Sequence, residues 1–141
     1  MKKVVFVCLG NICRSPMAEF VMKDTVGGDE FHIESRATSG WEHGNPVHSG
    51  TQTVLRKNGH VCDPQKHSQQ ITSDDLEFFD VVIGMDEQNV RDLQGMSQGQ
   101  YDHKIYLFGE TGVPDPWYTG DFDETYRLVR QGCQEWYERL K

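Results

Sequence analysis

The chain predicts an α/β domain built on a parallel sheet with right-handed crossovers. Short β-branched and aromatic runs alternate with segments of helical period along the whole sequence. The first run, Lys3 to Cys8, is apolar almost without interruption, as in a strand buried on both faces. At 141 residues the chain is long enough for one domain, residues 1–141, with a core of its own.

Helix is expected from Ser15, with Ser15 as cap, Pro16 at the first helical position and Gly27-Gly28 as the stop. Phe31 to Ala37 sets Phe31, Ile33 and Ser35 against His32, Glu34 and Arg36, a period of two that predicts a strand. A loop, Thr38 to Pro46, leads to a helix from Ser49 to Asn58 closed by Gly59. Residues 60–71 show no clear pattern. Thr72 with Asp75 three places on predicts a capped helix toward Phe79.

Asp80 to Met85 is the next strand, and Asp86 is suited to cap a helix through about Leu93. Ile105 to Phe108 is a further apolar run, followed by a loop from Gly109 to Gly120. In the last segment Phe122, Tyr126, Val129, Cys133, Trp136 and Leu140 recur at steps of four and three, the stripe of an amphipathic helix. Trp136 and Cys133 are therefore assigned to the core.

Composition removes several functional classes. Fourteen basic against 22 acidic side chains leave a net charge of −8, the wrong sign for a nucleic-acid surface. No apolar run approaches the roughly 18 residues of a membrane span. Lys2 and Lys3 precede an apolar stretch as in a signal peptide, but it ends at Leu9 without a small-residue cleavage site. The expected location is the cytoplasm. Cys8, Cys13, Cys62 and Cys133 show no CxxC spacing, so no zinc site is expected.

The chemistry concentrates in Cys8-Leu9-Gly10-Asn11-Ile12-Cys13-Arg14-Ser15-Pro16. A strand that ends in cysteine, turns through a short loop and opens a helix converges its N–H groups on one point, where the helix N-terminus adds positive potential. That field and an arginine both favour a thiolate. Gly10 and Asn11 readily accept positive φ, which lets successive N–H groups point inward. Arg14 offers a planar fork matched to two phosphate oxygens. Ser15 can donate its hydroxyl to the Cys8 sulfur. The spacing Cys-x5-Arg alone is common by chance; a buried cysteine beside a surface arginine is the plain alternative.

In this context the stretch resembles the signature of the low-molecular-weight protein tyrosine phosphatases. The likeness continues in Ser39-Gly40-Trp41, in Gly84-Met85-Asp86 with Asn89, Arg91, Asp92 and Leu93, and in Asp115-Pro116-Trp117-Tyr118. It implies a three-layer sandwich around a four-stranded parallel sheet, of the flavodoxin-like, phosphotyrosine phosphatase I-like type. It implies neither metal nor cofactor, and a phosphocysteine intermediate. Phosphotyrosine-containing proteins are the implied substrates, with inorganic phosphate or another oxyanion as product or inhibitor. The buried serine of the family matches Ser35, which joins Asn11 and Ser15 as support for the loop. The family's histidine before Gln70-Ile71-Thr72 is not matched, because His67 falls one place off.

A phenolate leaving group needs a proton, so a general acid is required. Asp115, stiffened by Pro114 and Pro116 and flanked by Trp117 and Tyr118, is the candidate. On the residues alone it is as readily an Asp-Pro turn; the resemblance makes it the acid. Trp41, Trp117 and Tyr118 are the expected walls for an aromatic ring. Cys13 is either a small loop filler or, as the resemblance suggests, a redox partner of Cys8.

Three other functions remain open. The related arginine phosphatases usually carry threonine where this loop has Ile12. An arsenate reductase of the same fold needs two further mid-chain cysteines, and only Cys62 is near. A non-catalytic phosphoprotein-binding module would be expected to lack Cys8 or Asp115.

Overall fold

A computed structural model gives the fold, and it describes residues 1–28 and 30–141. Four strands form one parallel sheet in the order β2-β1-β3-β4, namely β1 (Lys2–Cys8), β2 (Phe31–Ala37), β3 (Val81–Gly84) and β4 (Ile105–Leu107). The register sets Cys8 beside Ala37 and Val7 beside Gly84, so the strands' carboxyl ends align at one edge of the sheet. Ligands of open α/β sheets bind beyond that edge.

Alternation along β1 divides the core into two. Val4, Phe6 and Cys8 pack on one side with the buried faces of α1 (Arg14–Val26), α2 (Ser49–Lys57) and α6 (Phe122–Leu140). Val5 and Val7 pack on the other with Leu76 of α3 (Ser73–Phe78) and Leu93 of α4 (Glu87–Met96). Helices on both faces make the expected three layers. The stripe on α6 is buried as read, with Val129 and Cys133 fully enclosed and Trp136 close to it. No helix among the described residues is long and apolar enough to cross a membrane.

Thr72 with Asp75 and Asp86 with Asn89 both form reciprocal capping boxes. Gly27 ends α1 in the left-handed conformation. Four local expectations need correction. Helix α1 starts one residue before Ser15, with Cys13 at the cap position and no side-chain cap. Ser15 is taken by the Cys8 sulfur and Asn11 instead. Pro16 therefore lies at the third helical position, where its missing N–H still has no partner within the helix. Helix α4 runs three residues past Leu93, to Met96. The segment read as a loop before Gly120 contains a one-turn helix, α5 (Pro116–Thr119), capped by Asp115. The unpatterned residues 60–71 are held by backbone bridges, Gln70 to Ala37 and His67 to Pro46.

Candidate active site

Cys8 ends β1, and the chain turns at once into the loop that opens α1. Asn11 adopts φ of +55°, the left-handed region that asparagine tolerates better than most residues. Three contacts fix it there. Its side-chain nitrogen donates to Ser15 Oγ at 2.8 Å and to Ser35 Oγ at 2.9 Å, and its side-chain oxygen accepts the Gln69 N–H at 3.1 Å. So held, its backbone N–H points to Cys8 Sγ at 3.2 Å. Ser15 Oγ lies 3.0 Å from the same sulfur. Ser15 accepts from Asn11, and of the two acceptors within reach of its own proton the sulfur is nearer than the Arg36 carbonyl at 3.4 Å. The arrangement suits a sulfur that carries negative charge.

Support for this loop extends into the protein. Ser35, fully buried, donates to Glu19 Oε1 at 2.6 Å. Glu19 is itself buried and is neutralised by Lys23 at 2.7 Å and Lys66 at 3.1 Å. A buried carboxylate left without such partners would be costly. Ser68 Oγ donates to the Gly10 carbonyl at 2.7 Å, and the His48 N–H donates to the Ile12 carbonyl at 2.8 Å. The support that might have come from His67 is thus supplied to Asn11 by the Gln69 backbone.

Arg14 is almost wholly enclosed. Its Nη1 donates to Asp86 Oδ2 at 2.6 Å and to the Val113 carbonyl at 3.1 Å, and its Nη2 lies 3.4 Å from Asp115 Oδ2. Its Nε is buried without any partner, one of two such side-chain atoms among the described residues. Burial alone would pull the guanidinium's pKa down; Cys8, Asp86 and Asp115 outweigh it, and the net direction is up. A permanently charged fork with one unmatched donor is what an oxyanion requires.

Asp115 caps α5, accepting the Trp117 N–H on Oδ1 at 3.0 Å, while its Oδ2 faces Arg14. Gly112 allows this loop to run close to β3. Its φ is +83°, and a Cβ there would stand 2.9 Å from the Met85 carbonyl oxygen and from the Asp86 Cα. A cleft of about 150 Å³ results, lined by Cys8 through Arg14, Trp41, Glu42, Asp115, Trp117 and Tyr118. Trp41 is 80% exposed, Trp117 57% and Tyr118 78%, so three aromatic side chains stand at its mouth largely in water. Larger open grooves of about 680 and 790 Å³ lie elsewhere, but neither is lined by a cysteine.

The structure therefore gathers Cys8, residues 9–13, Arg14, Ser15, Ser35, Asp115, Trp41, Trp117 and Tyr118 around one cleft or directly behind it. Sequence reasoning missed Asp86, Glu19 and Lys66. Asp86 was legible only as a helix cap, and it is one: Oδ1 accepts the Asn89 N–H at 2.8 Å while Oδ2 holds Arg14. Glu19 left one local sign, a lysine four residues on. Cys13 is buried at the start of α1, where desolvation first, then Cys8 and Asp115, push its thiol up to about 12. Among the described residues no group of three or more His, Cys, Asp or Glu side chains is arranged to hold a metal ion.

A cysteine that meets the Asn11 N–H and the Ser15 hydroxyl at the carboxyl end of a parallel sheet, with a buried arginine six residues on and a carboxylate facing that arginine in the same cleft, defines the class of cysteine-based phosphatases. Residues 3–141 match the family model described as "Low molecular weight phosphotyrosine protein phosphatase". The chain is 40% identical, over 146 aligned residues, to low molecular weight protein-tyrosine-phosphatase YfkJ of Bacillus subtilis, covering 96% of this chain and 93% of that one. Similarity to PtpA of Staphylococcus aureus is 38% over 142 residues, covering 94% and 90%. The crystal structure of SP-PTP from Streptococcus pyogenes superposes with a TM-score of 0.98 at 65% identity, covering 100% of this chain and 94% of that one. DARP, a Drosophila arginine phosphatase, shares the fold at a TM-score of 0.89 and 27% identity, covering 100% and 98%. The chain belongs to the low molecular weight phosphotyrosine protein phosphatase family, and it is an enzyme of the protein-tyrosine-phosphatase class.

Proposed function

We propose that the chain hydrolyses phosphotyrosine in proteins, and small aryl phosphates, through a cysteinyl-phosphate intermediate. The observation that carries the reading is the pair of contacts on the Cys8 sulfur, from the Asn11 N–H and Ser15 Oγ, in one cleft that Arg14, with its unmatched Nε, and Asp115 also line. Cys8 acts as thiolate: its sulfur bonds to phosphorus as the P–O bond to the phenol breaks. Asp115 gives its proton to the departing phenolate oxygen. The loop N–H groups of residues 9–15 and the Arg14 fork hold the non-bridging oxygens through the transition state. Asp115, now a carboxylate, takes a proton from water as its oxygen bonds to phosphorus. The S–P bond breaks, the Cys8 thiolate returns and inorganic phosphate leaves.

Asp86 keeps the guanidinium in place, and Trp41, Trp117 and Tyr118 flank the substrate ring. Ile12, bulkier than threonine, favours the tyrosyl ester over phosphoarginine, which matters because an arginine phosphatase shares this fold. The reading goes with one catalytic domain over residues 1–141 and with a reducing, cytoplasmic setting, which a nucleophilic thiol requires. Cys13, in the same loop, is the thiol that would condense with a Cys8 oxidised to the sulfenic acid, forming a disulfide with release of water. Phosphotyrosyl peptide, para-nitrophenyl phosphate, phosphoarginine and arsenate assayed side by side test the reading. Turnover of the two aryl phosphates is expected. Preferred turnover of phosphoarginine, or reduction of arsenate, would overturn it.

A further inference from the structure

His48 has no part in the chemistry just described, yet four separate contacts meet on it. Its backbone N–H donates to the Ile12 carbonyl in the phosphate loop at 2.8 Å. Its Nδ1 accepts the Gly50 N–H at 3.0 Å and so caps α2. An Nδ1 that accepts a hydrogen bond leaves the ring proton on Nε2. The ring stacks on Phe122 with centroids 5.1 Å apart and planes at 19°, and meets Trp117 edge-to-face at 5.7 Å and 81°. Gly50 makes the stack possible, since a Cβ there would stand 2.5 Å from the Phe122 ring.

Helix α5 has only four residues, far too few to hold a position by its own hydrogen bonds. It nevertheless carries both Asp115, at its cap, and Trp117, whose N–H fixes the Asp115 carboxylate. Trp117 is more than half exposed, and His48 is the one aromatic partner it has among the described residues. The His48 ring is thereby a strut between the acid loop and the loop of the nucleophile.

The geometry points to His48 as a positioning residue, whose ring, fixed by the α2 cap and by Phe122, holds Trp117 and through it Asp115 at the distance from Cys8 that proton donation needs. This rests on the hydrolytic reading above. Two variants separate ring from cap. His48→Asn retains an acceptor for the Gly50 N–H but loses the ring; His48→Phe retains the ring but loses the acceptor. Two substrates separate the acid from the phosphate grip: phenyl phosphate, whose leaving group needs a proton, and 2,4-dinitrophenyl phosphate, whose leaving group does not.

For His48→Asn, kcat/KM on phenyl phosphate is expected to fall roughly tenfold or more, as displacement of a general acid should produce. On 2,4-dinitrophenyl phosphate the fall should be several-fold smaller, limited to what a shifted Trp117 wall costs both esters, and the rate at which iodoacetate inactivates Cys8 should stay within about twofold of the unaltered enzyme. His48→Phe should restore the ratio between the two substrates. Phe122→Leu, which removes the stack and leaves the cap, should reproduce the selective loss even if the asparagine variant fails to fold. Equal loss on both substrates, no loss at all, or a selective loss that His48→Phe does not repair would overturn the assignment. An unaltered enzyme that hydrolyses neither ester would instead overturn the hydrolytic reading and leave the strut's role behind it.

Discussion

The phosphate loop and the acid loop face each other across one cleft and are built in opposite ways. Asn11, Ser15 and Arg14 are almost fully buried and are held by hydrogen bonds that reach Ser35, Gln69 and Asp86 on three other segments and, through Ser35, Glu19 further along α1. Asp115 stands on a single helical turn between two exposed aromatic side chains and the Arg14 fork. On the proposed mechanism the difference follows from the tasks. Oxyanion donors stabilise a transition state only if they need no reorganisation, so they must be fixed beforehand. A proton donor must admit the substrate ring beside it, so its surroundings stay open.

Substitutions in the two loops should separate along this line. Cys8→Ser should abolish turnover, with a loss on the order of 10⁴-fold or more on every ester, since no other group can take the phosphoryl transfer. Steady-state assay at high enzyme concentration measures it, and substantial residual activity would mean that the nucleophile lies elsewhere. Asp115→Asn should cost about 10²- to 10⁴-fold on phenyl phosphate and far less on 2,4-dinitrophenyl phosphate, with thermal unfolding unchanged. A marked loss of stability in that variant would contradict the picture of a lightly held acid.

Ser35→Ala, remote from the cleft mouth, should destabilise the fold by about 1–3 kcal/mol, because Asn11 and Glu19 each lose a buried partner. Urea unfolding reads this directly, and a neutral result would mean that the buried chain behind the loop is slack. The smallest effect belongs to Glu34 on β2. Burial pushes its carboxyl up, but hydrogen bonds from His32 and Arg36 outweigh that and leave it below the usual range. A carboxylate with lowered folded pKa stabilises fully above its unfolded value of about 4.3, and that contribution is lost as pH falls through the folded value. Glu34→Gln should therefore cost about 0–1 kcal/mol at neutral pH. The difference from the unaltered chain should vanish in acid urea titrations.

What was legible in the sequence divides in the same way. Strand β1, the loop that follows it and the stripe on α6 could be read because their signals are local: a run, a short motif, a period. Ser15 could be read both as a cap and as a donor to the Cys8 sulfur, and only the second reading holds, because that sulfur, at the end of β1, and Asn11 occupy its hydroxyl. The second role of Asp86 was hidden because its partner Arg14 is 72 residues away, and the contact of Arg14 with Val113 spans 99. Residues 60–71 had no period to show. Their backbone, through Gln69, completes a polar cluster whose centre lies 58 residues earlier. Helix α5 escaped because a single turn inside a loop with prolines has no stripe to reveal it.

The unmatched Arg14 Nε couples ligand to folding. Any oxyanion that satisfies this donor binds the folded chain and not the unfolded one, so at a hundred times its Kd it adds about 2.7 kcal/mol of stability. Inorganic phosphate, the product of the proposed reaction, would be such an ion. In a phosphate-rich cell the protein would be protected from unfolding and proteolysis by the same ion that competes with its substrate. Scarcity of phosphate would release activity and shorten the lifetime of the chain together.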